Sequence, residues 1–203
     1  MRSCEVAKEA VTKNRNTRAS SSSVTSQVMD AEAISRALRR ISHEILERNP
    51  EPGSLVLVGI PLRGVEIAGR LCSVLESLGK TSIETGILDV SMYRDDIGKR
   101  PELPLVQPSK LPLPLEKKTV IIVDDVFFTG RTARAAMDAL SSFGRPARIQ
   151  LAVLIDRGHR ELPIRVDYVG KNLPTAPGER VRLRLQNVDG EPDTVWLVKE
   201  EKT

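Results

Sequence analysis

Two adjacent aspartates and a small-residue turn lie close together in the middle of this 203-residue chain. Asp124 and Asp125 follow the apolar residues 120–123, and the turn TGRT follows at residues 129–132. A turn that leads into a helix points several backbone N–H groups at one spot and can therefore hold a phosphate. Two carboxylates suit hydroxyl groups or a Mg²⁺-organised ligand better than phosphate, because like charges repel. These residues predict a site for a phosphorylated sugar with vicinal hydroxyls, and the alternative is a solvated strand end.

The elements around this stretch repeat a strand, turn and helix layout. The β-branched residues 120–123 are typical of a strand buried on both faces of a parallel sheet. In the second such unit, Arg63 lies in the turn at the carboxyl end of the strand, which is where ligands bind in open α/β sheets. The predicted strands are residues 55–60, 83–92, 120–123, 149–155, 164–169, 181–185 and 194–198, and the predicted helices are 30–49, 65–78 and 133–140. An α/β fold with a largely parallel sheet is therefore expected.

Two other nucleotide-binding arrangements also use an apolar strand that ends in acidic residues. A P-loop ATPase needs a glycine-lysine loop, but Val74 stands where the first glycine before Gly79-Lys80-Thr81 is required. A phospho-acceptor domain would carry its acidic pair near the first strand. Neither arrangement fits this chain.

Composition and charge bound the remaining possibilities. The chain is 40% hydrophobic, which suits one core, and we expect a single domain over residues 29–203. Residues 1–28 are polar and serine-rich, and are predicted to be a disordered extension that carries +3 of the net charge of +4. No apolar run approaches the roughly 18 residues of a membrane span, and two distant cysteines suit a reducing compartment. The sequence therefore predicts a cytoplasmic protein without a membrane partner.

Basic residues concentrate in two places outside the extension. In the predicted helix 30–49, one face is apolar and the opposite face carries Arg36, Arg39, Arg40 and His43. The second concentration comprises Arg157, His159, Arg160, Arg165 and Lys171. The pattern leaves two interpretations open, a solvated surface or a local nucleic-acid footprint.

The segment between the predicted strand 83–92 and Lys118 contains five prolines, at positions 101, 104, 108, 112 and 114. Proline leaves little room for regular structure there. A loop of this length in a compact domain is commonly a functional lid. We expect it to close over a ligand.

Three stretches carry a resemblance to a known family. VIIVDDVFFTGRT resembles the phosphoribosyl pyrophosphate (PRPP) signature of type I phosphoribosyltransferases. DRGHRELPIRVDYVGKNLPT at residues 156–175, with ISRALRRISHEILERN and MYRDD upstream, resembles the PyrR family of bacterial pyrimidine operon attenuators that are also uracil phosphoribosyltransferases. The similarity extends from about residue 29 to the C-terminus. It implies the type I phosphoribosyltransferase fold, with a central mostly parallel sheet flanked by helices, a small hood and a flexible loop.

The resemblance implies an activity and a set of site residues. Uracil would displace pyrophosphate from PRPP to give UMP, with Mg²⁺ carried by PRPP and no direct metal ligand from the protein. Catalytic roles would fall to Asp124, Asp125 and Arg63. Substrate binding would involve Leu62, Gly64, Arg94, Val126, Phe127, Phe128, Thr129, Gly130, Arg131, Thr132, Asp156 and Arg157.

The resemblance also implies partners. The family binds a stem-loop of pyrimidine operon leader mRNA, favoured by the uridine nucleotides UMP and UTP, and so promotes transcription termination. The corresponding RNA-binding positions are Arg39, Arg40, His43, Arg48, His159, Arg160, Arg165 and Lys171. Assembly as a homodimer or a larger homo-oligomer is implied as well.

Two positions depart from the family pattern. Leu62 stands where threonine usually precedes the loop arginine, and Phe128 replaces a tyrosine in the phosphate signature. Three functional hypotheses follow: a bifunctional regulator and enzyme, a plain uracil salvage enzyme with a solvated basic surface, and a regulator whose enzyme site is inactive.

Overall fold

The computed structural model describes residues 22–95 and 108–200. The strands are β1 (Ser22–Met29), β2 (Leu55–Gly59), β3 (Glu84–Ile87), β4 (Thr119–Phe127), β5 (Arg148–Asp156), β6 (Tyr168–Asn172), β7 (Glu179–Arg184) and β8 (Thr194–Glu200). The helices are α1 (Ala31–Arg48), α2 (Arg63–Gly79), α3 (Arg131–Ser141) and the short α4 (Gln186–Asp189). Short 3₁₀ helices span Pro52–Ser54 and Ser91–Tyr93.

Five parallel strands form the core sheet in the order β3-β2-β4-β5-β6. Helices cover both of its faces, so each strand must be apolar on both sides. In β4, Ile121 and Val123 pack with the α1 and α2 side of the core, whereas Val120 and Ile122 pack with the α3 side. The prediction of a parallel α/β sheet from the β-branched runs is confirmed.

The first helix follows its sequence signals closely. Asp30 caps α1 by accepting a hydrogen bond at 2.8 Å from the backbone N–H of Ala33. Ile34, Leu38 and Ile45 are buried, as the helical periodicity predicts. The predicted helix 30–49 is therefore confirmed.

A second, antiparallel sheet contains β1, β8 and β7 in that order. We call β1, β7, α4 and β8 the hood. The predicted disordered extension 1–28 is wrong for residues 22–28, because their backbone pairs with β8. The pairing is irregular, with register shifts between Val24 and Ser26 and between Gln27 and Met29, which explains why the sequence shows little alternation. Residues 1–21 lie outside the described residues.

Several strand boundaries differ from those predicted. The strand expected at 120–123 continues to Phe127, because β4 keeps pairing with β5 as far as Asp156. The strand expected at 164–169 lies instead at Tyr168–Asn172, since residues before it form a bend around Pro163. The strand expected at 83–92 is only Glu84–Ile87.

The proline-rich segment is only partly described. Residues 108–118 lie against the core, where Lys110 forms a bridge with Ile87. The expectation of a lid concerns mainly residues 96–107, which lie outside the described residues. Within the described ranges, no helix is both long and apolar enough to cross a membrane.

Candidate functional site

Asp124 and Asp125 lie at the carboxyl end of β4, in the middle of the core sheet. The carboxylate of Asp124 accepts a hydrogen bond at 2.9 Å from the backbone N–H of Asp125. That of Asp125 accepts one at 2.8 Å from the N–H of Val126. Both side chains are partly buried. The local backbone thus fixes the two carboxylates at the edge of the sheet where ligands bind.

Asp124 lies in an environment that disfavours its negative charge. Burial raises the pKa of Asp124, and the neighbouring charge of Asp125 raises it further. The backbone hydrogen bond from Asp125 and the positive charge of Arg94 oppose this effect, but the pKa still lies well above its usual value. A ligand that brings positive charge or hydroxyl donors to this carboxylate would relieve the cost.

A cavity of about 140 Å³ lies beside Asp124 and the start of α3. Gly130 precedes α3 with φ of 92°, a conformation that glycine adopts without strain. The first turn of α3 therefore directs its N–H groups to the cavity, as a phosphate site requires. The cavity lining unites Arg94, Asp124, Val126, Phe127, Phe128, Thr129, Gly130, Arg131, Thr132, Ala133 and Leu151.

Two arginines at this cavity have different partners. Arg94 donates a hydrogen bond at 3.1 Å to the hydroxyl of Thr132, which brings a positive charge next to the turn. Arg131 instead pairs with Glu161, at 2.8 Å, and with Asp95. The guanidinium of Arg131 is thus held by two acids, and the backbone of its turn is what the cavity offers to an anion.

Arg63 and Gly64 begin α2, directly after β2. A Cβ on Gly64 would lie 2.4 Å from the carbonyl oxygen of Val123, so only glycine lets α2 approach β4 this closely. Arg63 lies between two acids, with Asp125 at 3.9 Å and Asp189 at 2.7 Å. Leu62 is 42% exposed at the same turn. The structure therefore brings the turn of α2 next to the aspartate pair.

A larger cavity of about 330 Å³ lies on the other side of Phe128. The guanidinium carbon of Arg157 lies 4.1 Å from the centre of the Phe128 ring, and the His159 ring meets the same ring edge-on at 5.8 Å. Arg157 also donates hydrogen bonds to the Thr175 hydroxyl and the Glu179 carbonyl. This cavity offers aromatic and apolar walls with a few fixed polar groups.

Asp156 does not line either cavity, although the sequence placed it beside a bound base. Its side chain is only 4% exposed, and its carboxylate pairs with Arg160 at 2.6 Å and accepts from the N–H of Gly158 at 2.9 Å. Asp156 therefore holds the turn that carries Arg157.

The basic residues fall into two groups that differ in how they are held. Arg40 donates to the carbonyl oxygens of Val169 and Gly170 in β6, and Arg48 donates to that of Asp167. These contacts bring α1 next to β6. Arg39, His43, Arg165 and Lys171 are exposed on the same region, as are Arg40 and Arg48. We call Arg39, Arg40, His43, Arg48, Arg165 and Lys171 the basic surface.

His159 and Arg160 make different contacts from the residues of the basic surface. The imidazole Nε2 of His159 donates to the carbonyl oxygen of Thr175 at 2.6 Å and borders the larger cavity. Arg160 is paired with Asp156 and lies over the Phe127 ring, with 5.7 Å to its centre. The structure therefore ties these two residues to the cavity side of the molecule.

The side chains that could bind a metal ion determine whether the protein itself can hold Mg²⁺. Within the described ranges, no group of three or more His, Cys, Asp or Glu side chains could hold a metal ion. Asp124 and Asp125 place two carboxylates side by side, which suits the hydroxyl groups of a ligand that brings its own Mg²⁺ with its phosphates.

The sequence prediction missed residues 175–180 and Asp189. Residues 175–180 follow the carboxyl end of β6, so the rule that ligands bind at that edge could have found them. Asp189 is separated from Arg63 by 126 positions, and no local pattern marks it.

Solved structures with the same architecture are phosphoribosyltransferases. The chain superposes on the hypoxanthine phosphoribosyltransferase of Trypanosoma cruzi with a TM-score of 0.66, over 88% of this chain and 98% of that one, at 20% identity. It superposes on a Staphylococcus aureus hypoxanthine phosphoribosyltransferase with a TM-score of 0.64, over 85% and 92%, at 20% identity. The expected type I phosphoribosyltransferase fold is thereby confirmed.

The sequence comparisons identify the family. The phosphoribosyl transferase domain model matches residues 24–186. A protein of Roseiflexus sp. (strain RS-1) named "Bifunctional protein PyrR" is 53% identical over 173 residues, which is 85% of this chain and 94% of that protein. Proteins of the same name from Clostridioides difficile (strain 630) and Bacillus cereus (strain AH820) are 53% and 56% identical, over 84% and 80% of this chain and 96% and 91% of theirs. The acid pair, the glycine-started helix and these matches lead to one conclusion: the chain belongs to the PyrR family of phosphoribosyltransferase-domain proteins.

Proposed function

We propose that this protein transfers the phosphoribosyl group of PRPP to uracil in the cytoplasm, and that uridine nucleotides in the same site promote its binding to pyrimidine operon leader RNA. One observation carries the enzymatic part. Two cavities share Phe128, and the smaller one has Asp124 and a helix start while the larger one has aromatic and apolar walls. This division suits a ribose phosphate joined to a flat base.

The groups that line the smaller cavity or lie next to it have separate tasks in this reaction. Asp124 and Asp125 accept hydrogen bonds from the ribose hydroxyls, and the first turn of α3 binds the 5-phosphate. Arg63 faces the pyrophosphate that leaves the anomeric carbon. Mg²⁺, carried by PRPP, would neutralise charge on that leaving group. The transition state has oxocarbenium character, which the neighbouring carboxylates stabilise.

The larger cavity binds uracil, the acceptor base of the proposed reaction. Uracil is planar, and the Phe128 ring with the Arg157 guanidinium forms a flat wall for it. The backbone of residues 175–180 offers hydrogen-bonding groups to the base edge. Replacement of the family's tyrosine by Phe128 retains the ring and removes only a hydroxyl.

The basic surface supports the RNA-binding part. Arg40 and Arg48 join α1 to β6, so that Arg39, His43, Arg165 and Lys171 lie on adjoining elements. Arginine and lysine side chains bind RNA phosphates, while loop bases supply specificity. Because His159 borders the base cavity, it is the RNA-binding candidate with the most direct connection to the nucleotide.

The enzymatic part is tested by incubating the purified protein with PRPP, Mg²⁺ and one labelled base at a time. Uracil should be converted to UMP, whereas hypoxanthine and guanine should not be converted. Absence of turnover with uracil, while PRPP still binds, would favour a regulator with an inactive enzyme site and would agree with the missing hydroxyl at Leu62.

The regulatory part is tested with the transcript of the protein's own operon leader. UMP should raise its affinity for the protein, and mutation of Arg39 and Lys171 to Gln should lower that affinity without changing UMP formation. Arg145→Gln is the matched control, because Arg145 is an exposed arginine in the connection between α3 and β5 and is not part of the basic surface. Equal affinity with and without UMP would leave a plain salvage enzyme.

A further inference from the structure

Three contacts connect one side of α2 to the hood. They join Arg63 to Asp189, Glu66 to Asn187, and Arg70 to Asp193. Positions 63, 66 and 70 lie on one face of a helix, so these contacts form a row along it. Only the first contact lies at the carboxyl edge of the core sheet. The row therefore contains one contact at the site and others farther along α2.

The contact at the site is a two-point ion pair. Asp189 accepts hydrogen bonds from Nε of Arg63 at 3.1 Å and from a terminal nitrogen at 2.7 Å. It also accepts from the Leu185 N–H at 2.8 Å and from Arg184 at 3.1 Å. The Asp189 side chain is 8% exposed, so its position is well determined by its surroundings. A planar guanidinium bound at two points has one fixed orientation.

The charges around Asp189 favour this pairing. Burial alone would raise the pKa of Asp189, but hydrogen bonds from Arg63, the Leu185 N–H and Arg184 outweigh burial and lower it. Arg63 is also partly buried, with a side chain 31% exposed. The pair is therefore ionised at neutral pH.

The remaining nitrogen of Arg63 faces the site. Its distance to the carboxylate of Asp125 is 3.9 Å, which is too long for a hydrogen bond. If Asp189 lost its charge, Asp125 would be the nearest carboxylate for Arg63 among the described residues. Arg63 would then close this gap and occupy the carboxylate that the proposed reaction needs for a ribose hydroxyl.

We propose that Asp189 is a positioning residue that holds Arg63 away from Asp125, so that Asp125 can bind ribose and Arg63 can bind pyrophosphate. This inference rests on the proposed function. According to this proposal, the hood affects PRPP binding because Asp189 positions Arg63. Asp189 touches no substrate in this scheme.

The test measures Mg·PRPP binding by calorimetry together with KM for PRPP and for uracil. Asp189→Asn should raise Kd and KM for PRPP by roughly 10- to 100-fold, while KM for uracil changes little. Asp193→Asn is the matched control, because it breaks the neighbouring contact of the same row with Arg70 and should leave PRPP binding unchanged. Equal losses in both variants would indicate a structural role for the row and would overturn the proposal.

A second comparison separates action through Arg63 from a general effect on folding. Arg63→Gln and Arg63→Gln/Asp189→Asn should bind PRPP equally weakly, since Asp189 has nothing left to position. The double variant removes both charges and is expected to fold even if Asp189→Asn alone does not. A further loss of PRPP affinity in the double variant would overturn the proposal.

Failure of the proposed function has a different signature. Wild-type protein that neither binds Mg·PRPP nor forms UMP would contradict the function itself. Wild-type protein that does both, with Asp189→Asn indistinguishable from it, would contradict only the role of Asp189.

Discussion

Asp124 and Asp125 are held near the end of β4 by their own backbone and by the pairing of β4 with β5, whereas Arg39 and His43 lie exposed on α1. In the first region, side-chain positions follow from the fold, and the charge on Asp124 opposes folding. In the basic surface, folding fixes only Arg40 and Arg48, through carbonyl oxygens of β6 and the residue before it. A fixed site suits chemistry on one small substrate, and an exposed set suits a large partner whose phosphates lie at several distances. Mutations should therefore affect the two regions in different ways.

The largest effect is expected from Asp124→Asn. Loss of this carboxylate should lower kcat for UMP formation about 100-fold or more, because the ribose hydroxyls and the developing positive charge lose their partner. The same substitution should make the protein more stable at neutral pH. An equally active variant would contradict the assignment of Asp124 to the site.

The stability effect of Asp124→Asn has a defined pH dependence. The pKa of Asp124 is raised above 3.8 in the folded protein, so the folded state binds a proton more tightly than the unfolded chain. Its stabilising contribution is complete below that value and is lost as the pH rises through the folded pKa. Thermal unfolding of both proteins should show the advantage of the Asn variant growing from about pH 4 toward neutrality. A stability difference between the two proteins that does not change with pH would show that the charge of Asp124 is not the cause of the effect.

The next effect concerns the turn of α2. Gly64→Ala would place a methyl group 2.4 Å from the Val123 carbonyl oxygen, so either α2 or β4 must shift. We expect a loss of about 1–3 kcal/mol in the free energy of unfolding and weaker PRPP binding, because Arg63 moves with the turn. Gly53→Ala is the control, since its nearest neighbour would lie at an ordinary 3.8 Å.

A smaller effect should distinguish two arginines of the basic surface by their contributions to stability. Arg40→Gln removes hydrogen bonds to two β6 carbonyl oxygens and an ion pair with Glu44, and should cost about 1 kcal/mol of stability because the side chain is half exposed. Arg39→Gln should change stability by less than about 0.5 kcal/mol. Denaturant unfolding of both variants would test this difference, and equal losses would contradict it.

The smallest effect should appear in the salt dependence of RNA binding. If Arg39 binds a phosphate, Arg39→Gln should reduce the slope of log affinity against log salt concentration by about 1, with UMP formation unchanged. An unchanged slope would remove Arg39 from the RNA-binding set.

The sequence predicted the core and the acid pair because both have local signals. The β-branched run of β4, the Asp30 cap and the apolar face of α1 each specify an element within a few residues. It did not predict that the acids remain within the strand, because apolar patterning cannot reveal the continued pairing of β4 with β5. The hood was only partly foreseen, since β1 is polar and irregular in register and its partner β8 is far away in the sequence.

The predicted site residues also divide into those with a local sequence signal and those that depend on long-range packing. Residues 129–132 are adjacent in sequence and come together in one cavity. The contacts of Arg63 with Asp189 and of Arg157 with Thr175 depend on how distant segments pack, for which a single sequence gives no signal. The resemblance placed Asp156 beside the base, and no local pattern shows that its carboxylate is buried against Arg160.

The pairing of β1 with β8 has a consequence for the order of events on the ribosome. All five strands of the core sheet have been synthesised by residue 172, so the acid pair and the start of α3 can form before the chain is finished. The hood must wait for its central strand, β8, which joins β1 to β7. Until then, the core cluster that contains Ile34 and Leu38 lacks one of its members on the hood, Val195. Arg63 receives its partner on α4 only after all five core strands have been synthesised.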